Sequence, residues 1–250
     1  MRWSKIKTIM ICFLLAMNMF LIGFNVITSQ KETKVPEEVI NASVEVLYRD
    51  GFYCSKDIIP DSTYELPVLK ASFYSASDLS EMFFDKQLAF RTIDGSLVAD
   101  EENKVLTVSG DYFTFNSSKE ADLSHSPEKI KRALKKVGIS MDGSVYDEKE
   151  RCFYMMYKGV NLFNMYIKAE LDADGEICEI TALWPGKLVV HEKKTLSFVS
   201  DVTKLKNTFP NGGKINLIEK GYSLVPLGNE NYLFSPAWRV RIGEELKIIE

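Results

Sequence analysis

Histidine and cysteine, which often carry catalytic or metal-binding chemistry, are scarce in this sequence: 250 residues include two histidines and four cysteines. Hydrolytic catalysis commonly needs a nucleophile beside a base, and zinc sites need clustered His or Cys ligands. We expect His125 to cap a helix or face solvent and His191 to lie at a strand end. Gly-x-Ser-x-Gly and His-Glu-x-x-His are also absent. The sequence therefore favours a protein that is not an enzyme and that has no cofactor or metal.

An excess of basic residues is lacking as well. The formal net charge is −4, and Arg2, Lys5 and Lys7 are the only charged residues before Lys31. Removing those three positive charges leaves −7 for the rest of the chain. Nucleic-acid binding draws on clustered Lys and Arg with interleaved aromatic residues, and no such stripe is evident. We therefore expect no nucleic-acid partner.

The cysteines do not form an obvious paired set. Cys12 falls in an apolar N-terminal run, which leaves Cys54, Cys152 and Cys178 as an odd number, and no Cys-x-x-Cys element occurs. Neither a redox motif nor a zinc knuckle is supported. We expect buried free thiols, with one disulfide of unassigned partners as the alternative.

A long apolar run, from Ile6 to Ile27, lies near the N-terminus and carries one charge, Lys7. At ~1.5 Å per residue a helix of this length crosses a ~30 Å hydrocarbon core. The positive residues before it predict a cytoplasmic N-terminus and an extracellular C-terminal domain. Cleavable signal peptides have a shorter apolar region, of ~7–15 residues, and small residues at the cleavage site. We favour a retained single-pass anchor in the cell membrane over that alternative.

Five residues are predicted to position this anchor or to contact a partner helix: Trp3, Lys5, Lys7, Asn18 and Asn25. Trp3 suits the membrane interface and the two lysines suit the cytoplasmic side. Asn18 lies near mid-membrane, with Asn25 seven residues further on and roughly on the same face. An amide in lipid seeks a hydrogen-bond partner, and such contacts contribute ~0.6–2 kcal/mol. The alternative is that a single Asn is simply tolerated.

Helical and strand-like patterns alternate after a polar linker at 29–34. Apolar spacing and capping residues predict helices at about 36–48, 76–85, 127–137 and 197–207. The predicted strands are 63–74, 87–101, 104–116, 151–158, 161–171, 176–184, 222–228, 231–242 and 245–250. Trp184-Pro185-Gly186 is interpreted as a strand end and turn. The order of helix then antiparallel strands occurs twice, which predicts an α+β fold with a weak internal duplication: anchor 1–28, linker 29–34, and units 35–122 and 123–250.

One acidic segment imitates a calcium-binding loop. Glu170, Asp172, Asp174 and Gly175 have the required spacing, but Thr181 stands where a bidentate Glu is needed. The flanking sequence is strand-like, whereas the calcium motif needs helices. We therefore favour a hairpin turn through Asp172 to Gly175.

Two short motifs, one near each end of the chain, are distinctive. Residues 3–9 spell Trp-Ser-Lys-x-Lys-Thr-Ile and run straight into the Asn-containing apolar segment. Seven residues mark the other end: Tyr222, Pro226, Tyr232, Phe234, Pro236, Trp238 and Arg239. Together they resemble the YycI family, membrane-anchored accessory proteins found beside the cell-wall-sensing two-component system of low-GC Gram-positive bacteria.

The resemblance implies a regulatory protein without enzymatic activity. Its expected partners are a sensor histidine kinase, contacted through transmembrane helices, and a YycH-like protein, in a homo- or hetero-oligomer. The alternative hypothesis is a membrane-tethered extracytoplasmic sensor module that binds a peptide or cell-wall fragment. From the strand pattern, Trp238 is expected in the core, and Arg239 and Arg241 are expected to face solvent or a partner.

Overall fold

The structure is a computed structural model that describes Met17, residues 32–228 and residues 231–250. The predicted anchor residues lie outside the described parts: Trp3, Lys5, Lys7, Asn18 and Asn25. Within the described residues, no helix is long and apolar enough to cross a bilayer. The N-terminal anchor therefore stays a prediction.

Four α-helices of nine or more residues form among the described residues: α1 (Glu37–Arg49), α2 (Ala76–Phe84), α3 (Pro127–Lys136) and α4 (Phe198–Thr208). A side chain caps the N-terminus of two of these helices, α2 and α3. The Ser75 hydroxyl accepts a hydrogen bond from the Asp78 amide at the start of α2, and Ser126 caps α3. These oxygens satisfy amides that have no partner within the helix. The four predicted helices are confirmed to within one residue at each end.

Fifteen strands form in the same parts of the chain: β1 (Glu32–Lys34), β2 (Phe52–Tyr53), β3 (Ser62–Phe73), β4 (Arg91–Ile93), β5 (Ser96–Glu101), β6 (Lys104–Ser109), β7 (Tyr112–Asn116), β8 (Ser144–Asp147), β9 (Cys152–Tyr157), β10 (Val160–Leu171), β11 (Ile177–Leu183), β12 (Pro185–Leu196), β13 (Gly213–Gly228), β14 (Asn231–Ile242) and β15 (Glu245–Ile249). They belong to one large sheet, so the fold is a mixed α+β fold. The predicted antiparallel arrangement of β9, β10 and β11 is confirmed.

Two of the predicted strands are in fact hairpins. The stretch 87–101 contains β4 and β5, and the stretch 104–116 contains β6 and β7. Asp94, Gly95 and Gly110 have φ angles of 49°, 80° and 62°. These left-handed values reverse the chain and are incompatible with a continuous strand.

The turn predicted at Trp184-Pro185-Gly186 is wrong, because β12 begins at Pro185 and continues to Leu196. β12 pairs with β3 from Pro185 opposite Phe73 onwards, with a register shift at Gly186. A proline fits the first position of a strand, where no ladder hydrogen bond has to be donated. A bulge at Gly186, and not a turn, follows Trp184.

The main path of the sheet runs β1-β3-β14-β13-β10-β11-β7-β6-β5-β4. Off this path, β12 pairs with β3, β15 with β14, β2 with β13, β9 with β10, and β8 with β9. β7 pairs with β11, and β3 pairs with both β12 and β14. These ladders cross the boundary predicted between residues 122 and 123. The division into units 35–122 and 123–250 stays a prediction, although strands from both are hydrogen-bonded to one another.

One hydrophobic core joins the helices to the sheet. Trp184, Leu134 of α3 and Leu205 of α4 are fully buried within it. The indole nitrogen of Trp184 also donates a 2.9 Å hydrogen bond to the carbonyl oxygen of Ser140. Burying one leucine side chain stabilises a fold by ~1.5–3 kcal/mol. This packing places α3 against β10 and β11, and α2 packs against β5 and β6.

Candidate interaction surfaces

The seven C-terminal residues chosen from the sequence lie together on the paired strands β13 and β14. The register puts Tyr222 opposite Pro236, and Pro226 opposite Tyr232. Tyr222 and Phe234 are buried, and burial raises the pKa of the Tyr222 phenol. Because an ionised phenol is disfavoured there, the ring packs as a neutral group. The seven residues therefore belong to one structural unit, while their part in regulation stays a prediction.

Trp238 occupies the core, as predicted. Its side chain is 1% exposed and meets the ring edges of Phe198 and Tyr64 at centroid distances of 5.6 and 6.0 Å. Such edge-to-face pairs contribute ~0.5–1.5 kcal/mol beyond burial. Trp238 therefore links β14 to α4 and β3 and has no open face for stacking on a ligand.

Arg239 pairs with a residue of its own chain, which corrects the prediction that it faces solvent or a partner. Its Nε and Nη2 donate to Oε2 of Glu219 at 3.1 and 2.6 Å, and its guanidinium lies 4.6 Å from the ring centre of Phe163. The Asn161 amide donates to the other Glu219 oxygen at 2.9 Å. The strand register produces the Glu219–Arg239 pair, because Glu219 of β13 lies opposite Arg239 of β14. Arg241 is exposed, as expected.

A long exposed edge is formed by β12, which within the described residues pairs only with β3. Val189 and Val190 are 49% and 53% exposed, and the charged residues Glu192 to Lys194 follow them. An edge strand leaves a row of backbone N–H and C=O groups open to a further strand, and charged residues limit indiscriminate pairing. Sequence reasoning missed this surface, although the apolar run 188–190 beside three charges was visible. β12 is thus a candidate contact surface for another chain.

Both histidines occupy places other than those predicted. His191 lies exposed within β12 and not at a strand end. His125 packs against the β10–β11 turn, with Nε2 2.7 Å from the carbonyl oxygen of Asp172 and Nδ1 3.1 Å from Nζ of Lys129. Because a carbonyl only accepts, we assign the ring proton to Nε2, and Nδ1 then accepts from the ammonium. His125 therefore fastens α3 to that turn.

Ser126 and Lys129 have the Ser-x-x-Lys spacing found in some acyl-transfer enzymes. Here the Ser126 hydroxyl accepts a 3.4 Å hydrogen bond from the Lys129 backbone amide, as a helix cap. The Lys129 ammonium is bonded to His125. The lysine is therefore not placed as a base for the serine.

The three described cysteines are free thiols. Cys152 and Cys178 are buried, and burial raises the pKa of both thiols. A hydrogen bond to Cys152, together with burial, raises the pKa of Tyr154 to about 12. Nucleophilic cysteines need the opposite shift, towards the thiolate. These side chains are suited to packing.

The predicted hairpin turn between β10 and β11 is confirmed. The Gly175 amide donates to the carbonyl oxygen of Asp172, and the Glu176 amide donates to its carboxylate, both at 2.9 Å. Lys119 Nζ lies 2.5 Å from the other carboxylate oxygen and is the main cause of the lowered pKa of Asp172. The carboxylate thus organises the turn. Among the described residues, no group of three His, Cys, Asp or Glu is arranged to hold a metal ion.

Two of the solved structures that are similar to this chain come from Eubacterium rectale and Bacillus subtilis. No protein-family model and no curated protein matches the chain. An uncharacterized protein from Eubacterium rectale is 12% identical with a TM-score of 0.39, over 79% of this chain and 85% of that one. YycH from Bacillus subtilis is 15% identical with a TM-score of 0.46, over 76% of this chain and 54% of that one. At these TM-scores neither similarity supports a function for this chain.

Proposed function

We propose that this chain is a membrane-anchored, extracytoplasmic accessory regulator of a sensor histidine kinase in a two-component system for cell-wall homeostasis. It acts without catalysis, through transmembrane-helix contacts with the kinase and ectodomain contacts with a YycH-like protein. One observation carries the proposal: the seven C-terminal residues that resemble the YycI family occupy two paired strands and include Trp238, which is buried in the core. The resemblance thus concerns one packed unit.

The ectodomain contact is proposed to use β12. Its twelve residues make it much longer than β8 and β4, strands of four and three residues that also lie at edges of the sheet. A partner strand added to β12 would gain main-chain hydrogen bonds and cover Val189 and Val190. Association through a strand edge needs no pocket and no catalytic group.

The test of this contact is co-purification of the full chain with its YycH-like partner. Val190→Asp places an uncompensated charge at the strand edge and is expected to weaken association. Val145→Asp is the matched control, because Val145 is 52% exposed on the edge strand β8. If the Val190→Asp variant associates as strongly as the wild type, or if Val145→Asp weakens association equally, the proposal that β12 forms the interface is rejected.

The test of the anchor contact is co-purification with the kinase. Asn18→Leu is expected to weaken the complex because it removes an interhelical hydrogen bond of ~0.6–2 kcal/mol, a factor of about 3 to 30 in affinity. Met19→Leu, a neighbouring change without a polar group, is the control. Unchanged association and unchanged kinase output in Asn18→Leu would reject the role of that amide.

A second candidate function, a tethered sensor of a peptide or cell-wall fragment, is favoured by a groove of about 570 Å³ between α2, the end of α3 and the start of β12. Tyr74, Glu81, Met82 and Lys187 are among its lining residues. Grooves of this size hold small ligands or short peptide segments. If the chain is a sensor, the full chain should bind wall extracts when it is tested alone. If it is a regulator, it should bind its protein partners and not the extracts.

A further inference from the structure

We propose that a second cleft, between α2, α3 and the β10–β11 turn, binds an organic phosphate. The cleft has a volume of about 430 Å³, which suits a small molecule. Five cations and two carboxylates line it: Lys104, Lys119, Lys129, Arg132, Lys136, Asp85 and Glu176. An excess of positive charge on a chain with a net charge of −4 marks this place as a site for an anion. The site goes beyond the proposed regulatory role and does not depend on it.

One face of α3 supplies most of this charge. Lys129, Arg132, Ala133 and Lys136 all line the cleft, and their i, i+3, i+4 and i+7 spacing puts them on the same side of the helix. Ile130 and Leu134 are buried in the core. The core contacts therefore hold the basic face over the cleft.

Three of the five cations have no side-chain partner among the described residues. Lys119 is bonded to Asp172 at 2.5 Å and lies 3.5 Å from Glu176. Lys104, Arg132 and Lys136 make no ion pair or hydrogen bond with another side chain in the described part of the chain, and all three are exposed. A phosphate dianion near them would gain charge-assisted hydrogen bonds, and the planar Arg132 guanidinium can offer two in parallel.

A buried serine gives a second, independent indication. Ser117 lines the cleft and is 5% exposed, and its hydroxyl has no hydrogen-bond partner among the described residues. A buried hydroxyl without a partner costs free energy, and such a group calls for an explanation, of which a bound anion is one. A phosphate oxygen is an acceptor that would satisfy it.

The cleft also has an aromatic wall. Phe83 and Phe115 line it and are stacked on each other, with ring centres 4.5 Å apart and planes inclined by 15°. When the anionic group of a ligand binds the basic face of α3, the rest of the ligand lies near this aromatic wall. We therefore expect a phosphate ester with an apolar or aromatic body to bind more tightly than inorganic phosphate.

The adjoining groove would not compete for the same anion. Asp78, Glu81 and Asp85 line it against Lys136 and Lys187, so carboxylates outnumber cations there. Four residues line both spaces: Met82, Asp85, Lys136 and Val137. An anion should therefore prefer the cleft, where positive charge is in excess, over the adjoining groove, where negative charge is in excess.

The test is calorimetric titration of the full chain, in detergent at constant ionic strength, with phenyl phosphate. We expect saturable binding, tighter than that of inorganic phosphate, benzoate or phenol. Arg132→Gln and Lys136→Gln should each weaken it about tenfold, the size expected for one lost hydrogen bond to a charged group. Ser117→Ala should also weaken binding without lowering the thermal unfolding midpoint, because the hydroxyl has no partner to lose.

The matched control is Lys131→Gln, because Lys131 lies on α3 but is not among the residues that line the cleft. Its binding should equal that of the wild type. Absence of saturable binding at about 1 mM phenyl phosphate would overturn the proposal. So would equal losses in Lys131→Gln and Arg132→Gln, which indicate a diffuse charge effect. Benzoate or phenol binding as tightly as phenyl phosphate would refute the phosphate assignment.

Discussion

The close approach of β13 to Phe163 at Gly221 leads to a quantitative prediction. A Cβ added at Gly221 would lie 2.2, 2.3 and 2.7 Å from three atoms of the Phe163 ring, whereas ordinary contact begins at 3.4 Å. The ring would have to retreat by about 1.2 Å. It cannot do so freely, since Phe163 is 1% exposed and the Arg239 guanidinium lies 4.6 Å from its ring centre. We expect Gly221→Ala to strain the core and disturb the Glu219–Arg239 pair.

Overpacking of a well-packed core costs ~1–3 kcal/mol, and the short contacts at Gly221 favour the upper end. Urea denaturation of the full chain, followed by the fluorescence of the buried Trp184 and Trp238, measures this cost. With a slope of ~1–3 kcal/mol per molar urea, the midpoint should fall by about 1 M or more.

A second substitution tests the cause. Phe163→Leu removes the outer ring atoms that the new methyl group would meet, so Gly221→Ala should cost much less in that background. The coupling in the double-mutant cycle should exceed ~0.5 kcal/mol. A Gly221→Ala cost below ~0.5 kcal/mol, or the same cost in both backgrounds, would refute this reasoning.

Three further predictions concern local groups. The Lys119 contact lowers the pKa of Asp172, so its stabilisation is present above the ordinary aspartate range and is lost as the pH falls through the lowered folded value. Asp172→Asn should therefore be less stable than the wild type at pH ~7, with the difference shrinking below pH ~4 in urea denaturation; a constant difference would contradict this. Cys152 and Cys178 are buried, so they should react with a thiol reagent at least about tenfold more slowly in the folded chain than in urea. Mass spectrometry follows the reaction, and equal rates in the two conditions would contradict their burial. Ser75→Ala should cost ~1 kcal/mol because it removes the capping hydroxyl of α2, and an unchanged urea midpoint would show that the cap is dispensable.

The helices were predictable because their causes are local. A capping residue, an apolar repeat and a glycine or aspartate at the end lie within about a dozen residues of one another, as Ser126, Pro127 and Gly138 do around α3. The confirmed turn at Asp172 to Gly175 is local in the same way. The hairpins at Asp94-Gly95 and Gly110 were missed because apolar alternation continued on both sides of each turn and favoured one long strand.

The candidate sites were only partly predictable. The basic residues of α3 are visible in the sequence, but Lys104, Lys119 and Ser117 reach the same cleft from other elements. The exposed edge of β12 depends on its pairing with β3, more than a hundred residues earlier in the chain. Arg239 was expected to face solvent or a partner, because the strand pattern gives only its side of the sheet and not the position of Glu219 opposite it.

The sequence by itself determined the helices, the turn at Asp172, the buried position of Trp238 and the prediction of an N-terminal anchor, because each depends on short-range periodicity, capping or hydrophobicity. Only the tertiary structure decided that strands from both halves share one sheet, that β12 is an open edge, and that five cations converge on one cleft. Those features arise from pairings between residues far apart in the chain. Their register is set by packing of the whole core, which no local pattern records.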